Sequence, residues 1–179
     1  MIVETTDPLG TEYALVLPGG TRYTYKSENS FAFGWSIAMW FKYNRWGSVR
    51  DRLITLEDPV DSSKDLKVEL YNDGVDNQIS IGGINVPVYT PTNDWQLLFI
   101  TTVPGMTNLH WSVNSYVGGY ITNTKVPINP IINIGGGIDR EFRGDIFDVR
   151  VYDKPLATKS GNVLYTDAIN NSGDKTVPL

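Results

Sequence analysis

The chain has 179 residues, 41% of them hydrophobic, with 17 Gly, 10 Pro, one His, no Cys and a formal net charge of −5. That Gly and Pro content is too high for a helical bundle and too low for a low-complexity chain, and a chain of this length buries roughly 70% of its unfolded surface in one domain. Without Cys there are no disulfides, thiol nucleophiles, iron–sulfur clusters or sulfur-ligated zinc; one His excludes His-rich metal centres, and the acidic balance lacks the basic face that nucleic acid requires.

Met1–Pro8 carries Glu4 and no apolar run of export-signal length follows it, so no conventional signal peptide is expected. No stretch approaches the roughly 20 apolar residues of a membrane span, so no membrane insertion is expected. Residues 1–12 read as an N-terminal arm, 13–156 as one domain, and the polar stretch 157–179 as an arm or tail packing on that domain.

Between the arms the apolar signal is short, alternating and regularly interrupted, the period-2 pattern of half-buried strands. Strands are expected at 13–17, closed by Pro18-Gly19-Gly20, at 21–25, and at 31–42, where Trp35, Ile37, Met39 and Phe41 share one parity. The small or polar Ser36 and Ala38 on the other parity make that last segment a central strand, nearly buried on both faces. Further strands read at 52–56, 66–71 and 78–81, the last two joined by Asn72-Asp73-Gly74, whose Asp-Gly pair favours a tight hairpin. Then come 95–102, 109–114, 117–121, 131–134 and 145–152. About ten short strands with no sustained helical period indicate an all-β, antiparallel two-sheet sandwich.

Four stretches together resemble the laminin-G-like or concanavalin-A-like (pentraxin-type) jelly-roll superfamily. They are Ala14–Gly20, Ser36–Lys42, Asn93–Ile100 with Trp111-Ser112-Val113-Asn114, and Ile134-Gly135-Gly136 with Phe142–Leu156. The resemblance spans residues 13–156 and implies a jelly roll of the kind found in lectins, glucanases and pentraxins. One departure is Asn114-Ser115-Tyr116 where such chains often carry Gly, so that turn must be built differently. Gly144 reads as a strand interior needing close backbone approach or a bulge. Ile146, with Val149 or Val151, then points into the core, with a bulge if the parity shifts.

Glycanases need paired carboxylates flanking one bond. Glu69 stands alone, and Asp145 and Asp148 lie at odd spacing, facing opposite ways on an unbroken strand. No Gly-x-Ser-x-Gly elbow accompanies His110, which reads as a polar-parity strand residue. No catalytic residue is assigned, and the chain is expected not to be an enzyme. Calcium is the resemblance's common cofactor. Its oxygen-rich candidates are Asp73, Asp76 and Asn77 in one turn and Asp139 in another, although tight turns select the same residues for themselves. Sugar stacking needs exposed rings beside hydrogen-bonding side chains. Tyr43, Asn44, Arg45 and Trp46 offer these where a buried strand enters a polar loop, and Tyr116 and Tyr120 flank Gly118-Gly119. The tripeptide Arg143-Gly144-Asp145 falls inside a strand pattern, unsuited to adhesion, and Asn170-Asn171-Ser172 is a glycosylation acceptor by pattern alone.

The expected function is therefore a non-enzymatic surface-contact module. The first form is a virion structural protein, decorating a capsid or tail, made in the cytoplasm and assembled with other virion subunits or copies of itself, with loops free to touch glycans. The alternative is a carbohydrate-binding, lectin-like module of a secreted protein, and the third is a glycoside hydrolase resting on Glu69.

Overall fold

Strands with one apolar face must stack that face on another sheet, and the chain does so with two antiparallel sheets. In the computed structural model the described residues are 2–7, 10–18, 22–26, 34–43, 47–86, 93–102, 108–114, 116–121, 127, 129–136, 140, 142–152 and 154–157, with the backbone alone for 2–7, 10–18, 116–121, 147 and 148. The strands are β1 (Ile2–Asp7), β2 (Gly10–Pro18), β3 (Tyr23–Lys26), β4 (Ser36–Tyr43), β5 (Asp51–Glu57), β6 (Leu66–Asn72), β7 (Asn77–Ile81), β8 (Ile84–Asn85), β9 (Gln96–Thr102), β10 (Leu109–Val113), β11 (Tyr116–Ile121), β12 (Ile131–Ile134) and β13 (Arg143–Tyr152), with one 3-10 turn at Ser62–Lys64. The seven-stranded sheet runs β1-β2-β13-β4-β9-β10-β11 and the six-stranded sheet β3-β12-β5-β6-β7-β8. Neighbours distant in sequence are the mark of a jelly-roll sandwich.

The expected strands form, with informative differences. Residues 2–7, read as arm, are instead the edge strand β1, paired with β2 from Ile2↔Leu15 to Asp7↔Gly10. A polar run such as Glu4-Thr5-Thr6 gives little alternation to detect. The central strand starts at Ser36 because Gly34 takes φ 111°, outside any strand. Gly82 and Gly83, both at positive φ, turn the chain into the two-residue β8. The β6–β7 connection is a four-residue loop, Asn72 pairing with Asn77, rather than a two-residue turn. Val113 pairs with Tyr116, and Asn114 supplies the left-handed position (φ 54°) that Gly would otherwise take. The Asn114 side-chain oxygen accepts from the Leu97 N–H (2.8 Å) and its own N–H donates to the Leu97 carbonyl (2.9 Å).

Trp35, Ile37, Met39 and Phe41 enter the main core with Leu53, Ile54, Leu56, Leu66, Val68, Leu70, Ile79, Ile81 and the inward residues of β9, β10 and β12. Ala38 and Trp40 pack on the opposite face with Leu97 and Phe99, so β4 is buried on both sides. In β13, Phe147 pairs with Trp40 and Arg150 with Ala38. That extra residue is a bulge, and it turns both Val149 and Val151 toward the core beside Ile146. Gly144 pairs with Leu17 on one side and Tyr43 on the other, deep in the sheet, which removes the Arg-Gly-Asp tripeptide from any flexible loop.

The segment after β13 is fastened across the outer face of the seven-stranded sheet. The Leu156 N–H donates to the Ser36 hydroxyl (2.8 Å) and the Thr101 hydroxyl (3.1 Å), Ser36 donates to the Lys154 carbonyl (2.8 Å), and Thr101 to the Leu156 carbonyl (3.0 Å). Net hydrogen bonds contribute about 0.5–1.5 kcal/mol each. The double variant Ser36→Ala/Thr101→Val is therefore expected to lose about 2 kcal/mol of unfolding free energy in urea titration. An unchanged midpoint would show that the segment contributes nothing to stability.

Candidate functional site

The outer faces of the two sheets differ. On the seven-stranded sheet the outward parity of β4 and β9 is apolar and covered, with Trp95, Tyr152 and Leu156 packed on it. On the six-stranded sheet the outward parity is polar. Register orders its side chains in rows: Thr24, Asn133, Thr55 and Lys67; then Arg52, Glu69, Ser80 and Asn85; then Tyr71 and Gln78.

Arg52 reaches this face only because of a second bulge. Arg52 pairs with Glu69 and Ile54 with Val68, leaving Leu53 extra. Ile54 therefore faces the core while Arg52, two residues earlier, faces out, and Asp51 turns inward. Arg52 Nη2 lies 3.2 Å from Glu69 Oε1 and Arg50 Nη1 3.4 Å from Oε2, so one carboxylate serves two guanidiniums. Arg50 also donates to the Ser80 hydroxyl (3.4 Å), and its guanidinium carbon sits over the Tyr71 ring, 4.2 Å from the centroid, a cation–π contact. The Tyr71 hydroxyl donates to Asn85 Oδ1 (2.6 Å), and Thr24 donates to Asn133 Oδ1 (2.7 Å). Two donors on this face, Arg52 Nε and Asn133 Nδ2, are buried without a partner. Arg140 closes one rim: its carbonyl accepts from the Arg52 N–H (3.2 Å) and its guanidinium donates to the Arg50 carbonyl (3.5 Å).

The residues singled out from the sequence are mostly elsewhere. Tyr43, expected as a presented ring, is fully buried. It stacks on Phe142 at 5.4 Å and its hydroxyl donates to the inward Asp51, because it continues the core parity of β4. Asn44, Arg45, Trp46 and Asp139 lie outside the described residues, and of Tyr116 and Tyr120 only the backbone in β11 is described. Asp73 Oδ1 accepts from the Val75 (3.0 Å) and Asp76 (2.9 Å) N–H groups and Oδ2 from Gln78 Nε2 (3.0 Å), while Asn72 Nδ2 donates to Asn77 Oδ1 (2.9 Å). Those oxygens build the loop. Among the described residues no three His, Cys, Asp or Glu side chains gather as a metal site.

The Asp76 and Val75 N–H groups hold the Asp73 carboxyl below its ordinary value of 3.8. A lowered pKa adds stability to the loop above pH 3.8 that is lost as pH falls through the folded value. The Val75 and Asp76 amide resonances are expected to titrate together below pH 3.8, and to stop doing so in Asp73→Asn. Sequence reasoning noticed Glu69 but not the Arg50–Arg52–Glu69–Tyr71 cluster. The signal available was the Arg-Asp-Arg spacing at 50–52, unreadable without the bulge.

No protein-family profile and no curated protein sequence matches the chain. Solved structures do. The native heptameric SAP-like pentraxin from Limulus polyphemus superposes with TM-score 0.64 at 12% identity, over 85% of this chain and 81% of that one. The CBM40 of the Ruminococcus gnavus IT-sialidase, bound to α2,3-sialyllactose, gives 0.58 at 12% identity over 82% and 93%. The Trypanosoma rangeli sialidase in complex with the inhibitor DANA gives 0.64 at 13%, over 93% of this chain but 29% of that enzyme. With two antiparallel sheets in this order and these likenesses, the chain has the fold of an antiparallel two-sheet jelly-roll sandwich, as the resemblance in its sequence implied.

Proposed function

We propose that the chain is a non-catalytic glycan-binding module that takes its ligand on the outer face of the six-stranded sheet. The observation that carries this reading is the polar cluster of Arg50, Arg52, Lys67, Glu69 and Asn85, spaced by strand register over a packed core and underlain by the buried Tyr71 and Ser80. Sugar hydroxyls need donors and acceptors held at fixed spacing, which strands supply better than loops. The structural neighbours include a module bound to sialyllactose, which supports the reading through fold alone. A place on a particle surface draws no such support.

Catalysis would need two carboxyl groups about 5–10 Å apart. Both Glu69 oxygens face guanidiniums. Glu57, a further carboxylate of this face, pairs with Arg22 (3.8 Å) and stands some four residues from Glu69 along the ladder, roughly 13 Å.

Glycan-array screening of the wild type, with and without calcium, tests the reading. A defined glycan class is expected to bind, and Arg50→Ala to weaken binding about tenfold, the size of one hydrogen bond to a charged group. Trp46→Ala reports whether that residue, singled out from the sequence, adds to binding. A folded wild type that binds no glycan would refute the proposal, and glycan cleavage lost in Glu69→Gln would refute its non-catalytic part.

A further inference from the structure

The described strands of the six-stranded sheet carry more cations than carboxylates on their outer parity, in a chain whose net charge is −5. The described part carries Arg22 and Lys26 beside β12, Arg50 and Arg52 at β5, and Lys67 on β6, against the carboxylates Glu57 and Glu69. Arg140 adds a cation at one rim, and Asp73, held by Gln78, an acid at another. The whole chain stands at −5, so this cationic excess is local. Surface charge of one sign usually accompanies a partner of the other.

A second observation points the same way. The unpartnered buried groups of this face, Arg52 Nε and Asn133 Nδ2, are both donors, and Asn133 is 1% exposed. Acceptors are the scarce commodity: Glu69 is divided between two arginines, Asn85 Oδ1 is taken by Tyr71 and Asn133 Oδ1 by Thr24. A neutral sugar brings donors as well as acceptors, whereas a carboxylate brings acceptors alone. The planar fork of Arg also matches a carboxylate with two parallel hydrogen bonds. Lys67 stands two residues along β6 from Glu69, diagonal to Arg52 and exposed, which adds a solvent-accessible cation beside the pair.

We infer that this face selects an acidic glycan, a sugar bearing a carboxylate that is bound by Arg50, Arg52 and Lys67. The inference rests on the glycan-binding reading above and deepens it. It makes Glu69 a positioning residue: its carboxylate holds the two guanidiniums in place and leaves one positive charge of the three-group cluster unmatched.

Paired ligands that differ by charge alone give the test. Calorimetric titration compares 3′-sialyllactose with lactose, and a short oligogalacturonate with its methyl ester. At least one acid is expected to bind at least about tenfold tighter than its neutral counterpart, the size of one charge-assisted hydrogen bond. Raising salt from 20 to 200 mM should weaken the acid several-fold and leave any neutral binding unchanged. Lys67→Gln, at an exposed side chain, should lower acid affinity several-fold while circular dichroism and thermal midpoint stay at wild-type values, and Arg50→Gln should lower it several-fold with the circular dichroism of the folded protein. Arg52→Gln should lower it further. Acid and neutral ligands binding alike would overturn the acidic preference and leave the glycan reading standing. Preference for a sulfated glycan over both carboxylates would overturn the assignment of the ligand, and binding to neither charged nor neutral glycans would overturn both readings. Acid binding unaffected by Lys67→Gln and Arg50→Gln would place the site elsewhere and overturn the inference.

Discussion

Gly144→Ala is expected to cost about 3 kcal/mol or more and to lower the melting temperature by about 10 °C. The position lies inside β13, bonded to β2 on one side and β4 on the other. A methyl group there would run into the Lys42 carbonyl oxygen, and into the Phe142 ring at 2.9 Å. Neither neighbour can yield cheaply: Lys42 is part of the β4 backbone, and Phe142 is fully buried and stacked on Tyr43. Overpacking in a rigid region costs about 1–3 kcal/mol even when side chains can shift, and here backbone must move. Differential scanning calorimetry checks it, and a midpoint within about 2 °C of wild type would refute it. The Gly74→Ala variant is the control. Its φ of 99° imposes strain, but no atom lies within 4 Å of the added methyl, so about 1 kcal/mol is expected.

Trp35→Ala is the second large effect, about 3–5 kcal/mol. The side chain is 1% exposed and its indole N–H donates to the Pro127 carbonyl (3.1 Å). The backbone at the same residue is clasped by Thr102, whose hydroxyl accepts from the Trp35 N–H (3.0 Å) and whose N–H donates to the Trp35 carbonyl (3.0 Å). Truncation therefore opens a large cavity and strands a carbonyl at the same time. Trp35→Phe keeps most of the volume and separates the two costs: it is expected to lose about 1–2 kcal/mol from the hydrogen bond and modest packing. Equal losses for the two variants in chemical denaturation would show that volume is not what Trp35 contributes.

Much of the sandwich is legible in the chain because its strands bury one face and expose the other. The double burial of β4 follows from apolar residues on both parities between Trp35 and Phe41, whereas in β13 the sequence offers Val149 or Val151 beside Ile146, and the bulge lets both pack on the core. What alternation cannot show is pairing across the sheet. Arg52 and Glu69 are 17 positions apart, and which face Arg52 takes depends on the extra residue at Leu53. Tyr43 departs from the expectation for a related reason: a ring at the end of an apolar run looks like the start of a loop, and β4 includes it. Edge strand β1 escaped because an edge needs fewer apolar residues than a centre, so Glu4-Thr5-Thr6 carries no period worth reading. The polar cluster is thus a property of register, and its chemistry emerges only when three strands are laid side by side.

The clasp of Leu156 by Ser36 and Thr101 has a consequence for stability. It pins Leu156 to the sheet that lies back to back with the polar face, where its side chain packs over Ala38, Trp40, Leu97 and Phe99. The strap can therefore be loosened at Ser36 or Thr101 to vary the stability of the sandwich while the side chains of Arg50, Arg52 and Lys67, on the other sheet, keep their places.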